Sequence, residues 1–365
     1  MMNVLIMAAG TGGHVFPALA VADELAKQGV TIHWLGTPNG MENELVAKHG
    51  YVFHAIDMQG VRGKGVAKFV KLPIMLTKAV VQVLKIIKDN NVQASVGFGG
   101  YVTAPGGLAT KLAKKKLIIH EQNAIVGMSN RHLARHADQV LQAFDGAFDF
   151  MADSLGQRLH TVGNPVRESI AKLPKPSERY YPNDKSPLKL LVIGGSLGAM
   201  AINNAIVELL KISKRPLSVR HQCGKANHQD MLVAYSQAGV DLNFHTLELT
   251  PFIDDMAAAY AWADVVVCRA GALTVTEIAS VGVAPIFIPL PHAVDDHQTA
   301  NAKSLTEHGA GILLPQNELS GEKLAQILGN LDRQKCLDMA TNARAFAKTD
   351  TTTQVADIVE RVVKA

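Results

Sequence analysis

The amino-acid sequence predicts an α/β fold made of two Rossmann-like domains, each with a parallel sheet. Short apolar runs rich in β-branched residues alternate with longer amphipathic segments, which is typical of βαβ units with helices on both faces of a sheet. The chain has 365 residues, too many for one ordinary core. An apolar run followed by a glycine turn occurs at the start and again near residue 188, so we expect the two halves to be a structural repeat.

The apolar runs predict the strands, and the amphipathic segments between them predict the helices. In the first half, strands are predicted near residues 3–8, 30–35, 51–56, 94–96, 117–119, 138–142 and 160–162. In the second half, strands are predicted near residues 188–193, 217–221, 241–246, 264–268, 285–288 and 311–313. The longest predicted helix covers residues 66–89, and residues 331–364 have a helical pattern throughout.

A change in composition marks the boundary between the halves. Residues 172–189 hold four prolines and many charges without apolar periodicity, which indicates an interdomain linker. We therefore expect an N-terminal domain at residues 1–168 and a C-terminal domain at residues 169–346. A helix at about residues 347–365 is expected to pack back on the first domain.

The cysteines and the first residues bear on the compartment. Cys223, Cys268 and Cys336 are far apart and form no CxxC pair, which favours a reducing compartment and disfavours a structural zinc site. Residues 1–22 carry no charged side chain, as in a signal peptide, but they lack a basic start and contain glycines and a proline that would break an apolar helix. We interpret them as a buried strand and a glycine loop. No other segment has the pattern of a membrane-spanning helix.

The most informative stretch covers residues 265–302. An apolar run precedes Gly271, which supplies a turn, and a helix is predicted to start at Leu273–Thr274. Such a start directs backbone N–H groups and the positive end of the helix dipole towards the mouth of the sheet, where a nucleotide diphosphate would bind. Glu277, one turn into the helix, could accept both hydroxyls of a ribose. Thr274 and Glu277 have the spacing of a capping box at this helix start, and the alternative is that Glu277 only closes this box.

The first glycine loop does not fit a dinucleotide site. Gly10, Gly12 and Gly13 depart from the G-x-G-x-x-G pattern because Val15 occupies the third glycine position. The second predicted strand also ends without an acidic residue for an adenosine ribose, so NAD binding is not expected. His14 follows the glycines in the first helical turn, where the helix N-terminus favours a neutral imidazole that can accept a proton. The alternative is that His14 only caps backbone groups.

Three further polar loops are predicted at the carboxyl ends of strands, where parallel sheets bind their ligands. They are GFGGYVTAPGG at residues 97–107, HEQN at residues 120–123 and GNPVR at residues 163–167. The glycines of the first loop favour close approach of a ligand or of the partner domain, and Arg167 could point into an interdomain cleft. The alternative for each loop is a polar segment that is only solvated.

The sequence has no metal-binding pattern. No two aspartates are separated by one residue, so the D-x-D pair that binds a metal–nucleotide complex is absent, as are H-E-x-x-H and the P-loop. We therefore expect no metal and no cofactor. The phosphates of a bound sugar nucleotide are expected to meet helix N-termini, backbone N–H groups and hydroxyls, with Ser196 and residues 271–277 as the candidate positions.

Residues 60–90 combine basic and apolar side chains. Seven lysines and arginines stand against a single acidic residue, Asp89, and residues 111–116 add a second basic cluster. Basic side chains beside exposed apolar ones suit the surface of an anionic membrane, where each basic residue contributes roughly 1 kcal/mol. The alternative is a solvated helix face with its apolar side in the core.

Seven motifs, taken in order, make the chain resemble the MurG family from end to end. These proteins are UDP-N-acetylglucosamine–N-acetylmuramyl-(pentapeptide) pyrophosphoryl-undecaprenol N-acetylglucosaminyltransferases with the GT-B fold. The motifs are GTGGHVFPALA (10–20), GFGGYVTAPGG (97–107), HEQNAI (120–125), GNPVR (163–167), GGSLGA (194–199), CRAGALTVTEIA (268–279) and DDHQTANA (295–302). The resemblance implies two Rossmann-like domains that face a cleft, with the donor held mainly by the second.

The resemblance also implies roles for individual residues. His14 would be the general base that deprotonates the muramoyl 4-hydroxyl as this oxygen attacks the anomeric carbon, with inversion to a β-1,4 linkage. Within the donor site, Glu277 would accept the ribose hydroxyls and Gln298 would meet the sugar. The implied UDP-N-acetylglucosamine site comprises Thr11, Gly12, Gly13, Asn123, Arg167, Ser196, Ile253, Ala272, Leu273, Thr274, Val275, Thr276, Glu277 and Gln298.

The resemblance further implies the acceptor and the location. The acceptor would be the undecaprenyl-linked muramoyl-pentapeptide, so residues 60–90 would contact the anionic cytoplasmic face of the inner membrane as part of a peripheral protein. Cell-wall synthesis proteins are implied as partners, and nucleic acid is not. Two departures from the family pattern are Leu197, where many members have Gln, and the segment before Gln298, which is one residue longer. A soluble transferase or UDP-sugar epimerase, or a non-catalytic nucleotide- or lipid-binding subunit, stays open as an alternative.

Overall fold

The chain divides into two compact units. One is formed by Met1–Arg167 together with Asp350–Ala365, and the other by Glu168–Thr349. Each unit is built around its own parallel sheet. The computed structural model describes residues 2–58, 66–195, 198–291, 296–348 and 350–364.

In the described part of the first unit, seven parallel strands form one sheet. They are β1 (Asn3–Met7), β2 (Thr31–Gly36), β3 (Val52–Ala55), β4 (Ala94–Gly97), β5 (Lys116–Glu121), β6 (Gln139–Gln142) and β7 (Leu159–Thr161). Their order in the sheet is β3-β2-β1-β4-β5-β6-β7. The direction of winding therefore reverses between β1 and β4, and such a reversal opens a crevice at the carboxyl ends of the two strands.

The second unit repeats this arrangement with six described strands. They are β8 (Leu188–Ile193), β9 (Leu217–Gln222), β10 (Thr246–Thr250), β11 (Val265–Cys268), β12 (Ala284–Phe287) and β13 (Ile312–Leu313). Their order is β10-β9-β8-β11-β12-β13, so the reversal lies between β8 and β11. The prediction of two parallel α/β sheets is confirmed.

Helices connect and cover the strands. Among the described residues, no helix is both long enough and apolar enough to cross a membrane. In chain order the helices are α1 (Gly12–Lys27), α2 (Met41–Lys48), α3 (Val66–Asp89), α4 (Thr103–Leu112), α5 (Met128–Leu133), α6 (Ala152–Leu155), α7 (Glu168–Ala171), α8 (Pro176–Arg179), α9 (Met200–Ile212), α10 (His228–Ala238), α11 (Met256–Trp262), α12 (Ala272–Val281), α13 (His297–Thr306), α14 (Gly321–Gly329), α15 (Arg333–Ala345) and α16 (Thr351–Lys364).

The apolar runs form strands because both faces of each sheet are covered. In β1, Val4 and Ile6 face one side and Leu5 and Met7 the other, and all four are fully buried. α1 and α16 pack against each other over the first face, whereas α3 and α4 cover the second. The last helix of the chain is therefore part of the first unit's core.

Two predicted elements differ from the structure. The strand predicted at residues 241–246 is wrong, because residues 241–245 form a turn in which Asp241 Oδ1 accepts hydrogen bonds from the N–H groups of Asn243 and Phe244. The strand itself, β10, begins at Thr246. The helical pattern of residues 331–364 is also interrupted, since α15 ends at Ala345 and α16 begins at Thr351.

Residues 172–189, predicted to be a linker, pack as part of the second unit instead. Tyr180 is buried, and its hydroxyl donates to the carbonyl oxygen of Asp264 at 2.7 Å and accepts from Ala284 N at 3.2 Å. The composition did not reveal this packing because one aromatic ring and several backbone groups make the contacts, and no apolar stripe is needed.

Arg333 fixes the end of the same segment. Its guanidinium donates to the carbonyl oxygens of Asp184, Ser186 and Pro187 at 2.8, 3.0 and 3.0 Å. It also lies 3.1 Å from the carboxylate of Asp264. Because both side chains of this ion pair are buried, loss of the arginine would leave a buried carboxylate without its counter-charge.

Replacement of Arg333 by Met is expected to lower the free energy of unfolding of the second unit by about 3 kcal/mol or more. The matched control is Lys335→Met in the same helix, where an exposed side chain is lost and a change below about 0.5 kcal/mol is expected. The chain has two tryptophans, Trp34 in the first unit and Trp262 in the second, so urea unfolding in a Trp34→Phe background reports the second unit. Equal unfolding midpoints for the two variants would contradict a stabilising role of Arg333.

Candidate active site

The carboxyl ends of β1 and β4 bring two glycine loops together. Residues 8–11 follow β1, and residues 98–102 follow its direct neighbour β4. A Cβ atom at Gly100 would lie 2.3 Å from the carbonyl oxygen of Ala9, so only glycine permits this approach. The switch point of the first sheet is therefore lined by main chain, and such a switch point is the usual ligand site of an open α/β sheet.

His14 lies in the first turn of α1, directly after the β1 loop. The helix begins at Gly12, and the N–H of His14 donates to the carbonyl oxygen of the N-cap residue Thr11. The half-buried imidazole lies against Gly99, where a Cβ atom would be 2.8 Å from the ring. Its Nδ1 is 3.0 Å from Gln122 Oε1. Within the described residues the ring thus bonds to a side chain and does not cap the helix.

A buried chain of hydrogen bonds continues behind His14. Gln122 is 2% exposed, and its Nε2 lies 3.1 Å from both Nδ1 and the carbonyl oxygen of His120. The fully buried His120 ring stacks on Phe98, and its Nε2 is 2.8 Å from the carbonyl oxygen of Gly163. Burial lowers the pKa of His120 to about 4, although the hydrogen bond to Gly163 acts in the opposite direction. The ring is therefore neutral near neutral pH.

Glu121 holds the loop that carries Asn123. Its buried carboxylate accepts hydrogen bonds through Oε1 from the backbone N and from Nδ2 of Asn123, at 3.0 and 3.1 Å. Through Oε2 it accepts from Gly127 N at 3.1 Å and from Asn130 Nδ2 at 2.9 Å. Four donors thus satisfy this buried charge and fix the Asn123 amide next to Gln122.

A second buried carboxylate, Glu42, holds the loop after β1. Its Oε1 accepts from the backbone N and from Oγ1 of Thr37 at 3.0 and 2.8 Å, and its Oε2 accepts from Gly10 N at 3.3 Å. Gly10 has a φ of +100°, in the region that favours glycine. Nothing in the sequence marks Glu42, because it lies in the first turn of the short helix α2, where acidic residues are common.

In the second unit, α12 begins at the switch point between β8 and β11. Its N-cap is Gly271, and its first helical residue is Ala272. The predicted start at Leu273–Thr274 and the predicted capping box are therefore wrong, since Thr274 is the third residue of the helix and no side chain caps it. The first N–H groups of α12 lack acceptors within the helix and lie at the carboxyl edge of the sheet, where they suit an anion.

Glu277 is the sixth residue of α12 and is only 4% exposed. Its Oε2 accepts a hydrogen bond from the hydroxyl of Tyr260 at 3.1 Å. Tyr260 is buried on α11, which packs against α12. The position of this carboxylate is thus set by a tertiary contact and not by a cap at the start of its own helix.

The remaining second-unit candidates are spread along the carboxyl edge. Ile253 is half-buried and follows β10, two strands from the switch point. Gln298 is the second residue of α13, and its Oε1 accepts from Leu290 N at 2.9 Å. Val275 is buried, and Thr276 Oγ1 donates to a carbonyl oxygen of its own helix at 3.0 Å. Ser196, Leu197 and Asp295 lie outside the described residues.

The structure brings the candidates of the first unit close together, whereas in the second unit only residues 272–277 share one element. In the first unit, Thr11, Gly12, Gly13 and His14 share the start of α1, and Asn123 follows β5 beside Gln122. The guanidinium of Arg167 lies 5.3 Å from the ring of Phe16 on the same helix. In the second unit, residues 272–277 share one helix. Across the part of the chain that is described, no group of three or more His, Cys, Asp or Glu side chains could hold a metal ion.

In domain number and topology, two doubly wound sheets with glycine loops at their switch points have the architecture of one class, the two-domain glycosyltransferases with the GT-B fold. The comparison with family models agrees with this class. The model of the glycosyltransferase family 28 N-terminal domain matches residues 4–142, and that of the glycosyltransferase family 28 C-terminal domain matches residues 189–362.

Similarity to individual proteins is more specific. The chain is 59% identical over 357 residues, 98% of each chain, to the UDP-N-acetylglucosamine–N-acetylmuramyl-(pentapeptide) pyrophosphoryl-undecaprenol N-acetylglucosamine transferase of Psychrobacter arcticus. It is 49% identical over 362 residues to the protein of the same name from Aeromonas hydrophila, with 99% and 97% of the two chains covered. The crystal structure of Acinetobacter baumannii MurG matches with a TM-score of 0.83 and 41% identity, over 99% of this chain and 100% of that one. The chain belongs to the MurG family of glycosyltransferases.

The buried His120 is expected to make the first unit sensitive to acid. A histidine in the unfolded chain has a pKa near 6.5, whereas burial lowers the pKa of His120 to about 4. Between these values the unfolded state binds the additional proton, so stability is lost as the pH falls from about 6.5 towards 4. The loss between about pH 7 and pH 5 amounts to roughly 2 kcal/mol. The free energy of unfolding of the first unit at each pH is measured by urea unfolding, with the fluorescence of Trp34 as the signal in a Trp262→Phe background.

The control is His120→Gln, which removes this titration and leaves all others in place. The variant is expected to lose roughly 2 kcal/mol less than the parent over the same pH interval. If parent and variant lose the same free energy of unfolding, His120 is not held neutral in the folded state.

Proposed function

We propose that this protein transfers N-acetylglucosamine from UDP-N-acetylglucosamine to the muramoyl 4-hydroxyl of undecaprenyl-diphosphoryl-N-acetylmuramoyl-pentapeptide, with inversion at the anomeric carbon, in peptidoglycan synthesis. The observation that carries the proposal is the 59% identity, over 98% of both chains, to a relative that bears this transferase name. Likeness of this extent includes both units, so it is not limited to a shared nucleotide-binding fold.

Binding of the donor is assigned to the second unit. The free N–H groups at the start of α12 suit the diphosphate, because they combine hydrogen-bond donors with the positive end of the helix dipole. The carboxylate of Glu277 is assigned to the ribose hydroxyls, and its hydrogen bond from Tyr260 supports a fixed position. Contacts with the uridine are assigned to Ile253 and to residues 272–276. Ser196 and Arg167 are assigned to the diphosphate or to the uracil side, and Gln298 is assigned to the sugar.

Proton transfer is assigned to His14 in the first unit, with Thr11, Gly12, Gly13 and Asn123 near the substrates. The imidazole takes the proton of the acceptor 4-hydroxyl while this oxygen forms a bond to the anomeric carbon. The bond between the anomeric carbon and the diphosphate oxygen breaks, and UDP leaves with the electron pair. Helix N-terminal N–H groups stabilise the negative charge that develops on the leaving group.

His14→Ala is expected to lower kcat by roughly 100-fold or more while the KM for UDP-N-acetylglucosamine stays nearly unchanged, because a general base acts in the transition state and not in ground-state binding. The measurement is radiolabelled transfer to a lipid-linked muramoyl-pentapeptide, run with and without a chelator. Full turnover of His14→Ala would assign the base to another group, and loss of transfer with the chelator would contradict a diphosphate site without metal.

Glu277→Ala provides the contrasting control in the same assay. Its loss of ribose contacts is expected to raise the KM for the donor, whereas the acceptor KM should not change. Donor conversion in the absence of the acceptor would favour a UDP-sugar epimerase, and tight donor binding without any product would favour a non-catalytic binding subunit.

We further propose that the first unit binds the anionic cytoplasmic surface of the inner membrane. On α3, Ile74 is 74% and Val81 60% exposed, and the exposed Lys78, Lys85 and Lys88 follow at helical spacing on the same side. An exposed apolar stripe among lysines suits lipid headgroups and the acyl boundary beneath them. Contact with this surface would also bring the protein close to other proteins of cell-wall synthesis.

The neighbouring helix extends this surface. α4 packs against α3, and its Leu108 and Leu112 are 43% and 58% exposed. The described chain also holds its three cysteines free and buried, which is consistent with a reducing compartment on the cytoplasmic side. Arg62 and Lys64, which belong to the predicted membrane segment, lie outside the described residues, as do the side chains of Lys68 and Lys71.

The double variant Lys85→Glu/Lys88→Glu is expected to weaken binding to phosphatidylglycerol-containing vesicles roughly tenfold or more, because each lysine contributes about 1 kcal/mol near anionic headgroups. Co-sedimentation at two salt concentrations measures it. The matched control is Lys211→Glu/Lys214→Glu, which makes the same change of charge at exposed positions of the second unit. Equal vesicle binding by the two double variants would favour the soluble alternative.

A further inference from the structure

The direction of each hydrogen bond behind His14 follows from one backbone carbonyl. The carbonyl oxygen of Gly163 can only accept, so the Nε2 of His120, 2.8 Å away, must carry the proton of that bond. Burial lowers the pKa of His120 to about 4, so its neutral ring has a single proton. The Nδ1 of His120 therefore presents a lone pair.

The orientation of the Gln122 amide follows in turn. One terminal atom of this amide lies 3.1 Å from the Nδ1 of His120 and 3.1 Å from its carbonyl oxygen. Both partners accept hydrogen bonds, so the terminal atom must be the amide nitrogen. The reversed amide would place an oxygen against two acceptors in a buried position, which is unfavourable by the desolvation of each group. Gln122 Oε1 therefore faces His14.

An amide oxygen only accepts, so the Nδ1 of His14, 3.0 Å from Gln122 Oε1, must be the donor. We propose that Gln122, oriented by His120, is a positioning residue that fixes the ring proton of His14 on Nδ1 and leaves Nε2 as its proton-accepting atom. The catalytic meaning of this inference rests on the function proposed above. The identity of the protonated nitrogen does not, since it is a property of the unliganded protein.

The arrangement serves both states of the base. When Nε2 takes a proton from a substrate hydroxyl, the imidazolium still donates from Nδ1 to the same amide oxygen, so no partner has to rearrange. Contact with Gly99 limits rotation of the ring, because the loop backbone lies directly against its Nδ1 and Cε1 edge. Without the amide oxygen, a part of the molecules would carry the proton on Nε2 and could not accept another there.

The first unit contains a second histidine–glutamine pair that provides a matched control. Gln139 Oε1 lies 2.7 Å from the Nε2 of His160, between β6 and β7. In this amide orientation the oxygen only accepts, so His160 carries its proton on Nε2, the opposite nitrogen. Gln139→Met removes a bond of the same kind without touching His14.

The test is nitrogen-15 NMR of the imidazole rings in the full chain labelled at its 14 histidines. The resonances of His14 are assigned by their absence in His14→Gln. In the parent and in Gln139→Met, at a pH where the ring is neutral, His14 is expected to show a protonated Nδ1 and an unprotonated Nε2. Gln122→Met is expected to shift this pattern towards a protonated Nε2.

The same variants separate positioning from folding in the transferase assay. Gln122→Met is expected to lower kcat about tenfold, as for the loss of one hydrogen bond, with the donor KM unchanged, whereas Gln139→Met should keep the kcat of the parent. A proton on Nε2 of His14 in the parent would overturn the proposal, as would an unchanged pattern and unchanged kcat in Gln122→Met. Absence of transfer by the parent would contradict the proposed function but not the position of the ring proton, because the NMR measurement does not depend on the transferase activity.

Discussion

The reversal of strand order beside the first strand of each sheet is the constraint on which the candidate site depends. Parallel strands are joined by right-handed crossovers, so a change in the direction of winding moves the connecting helices to the other face of the sheet. At that place the two flanking loops part and their backbone N–H groups face open space. β1 and β4 form this place in the first unit, and β8 and β11 form it in the second. His14 and residues 272–277 lie within two helical turns of these places.

Buried carboxylates hold the loop after β1, at the first switch point, and the loop after β5, the strand next to β4. Glu42 and Glu121 are almost inaccessible to solvent, and each accepts three or four hydrogen bonds from loop N–H, hydroxyl or amide donors. A buried charge is tolerated only when its oxygens are satisfied, so departure of a loop from its position would leave a carboxylate exposed to an apolar interior. Gly100 adds a steric condition, because no larger residue fits against Ala9. These contacts hold the loops of the candidate site in place, and electrostatic catalysis requires a site of such fixed geometry.

The sequence was sufficient to predict the two parallel sheets, but it did not predict the buried hydrogen bonds that hold the loops of the candidate site. Runs such as residues 4–8 and 190–193 are apolar without interruption because both faces of a parallel strand are buried, and that signal is local. The error at residues 241–246 arose because Asp241 ends the apolar pattern with a turn of its own. The prediction of a capping box was wrong because no side chain caps α12, and Glu277 accepts a hydrogen bond from Tyr260, which is 17 positions away and on another helix. Gln122 and His14 are 108 positions apart, and only the sheet brings them together.

The choice of an amide at position 122 follows from its surroundings. The position is 2% exposed and adjacent in sequence to Glu121, whose buried carboxylate already uses four donors. A second carboxylate there would need donors of its own and would repel the first across a medium of low polarity. It would also face the lone pair of His120 Nδ1, which offers no proton. An amide avoids both difficulties, because its nitrogen donates to His120 and its oxygen accepts from His14. The neutral group can thus direct a proton in a place that does not accommodate another charge.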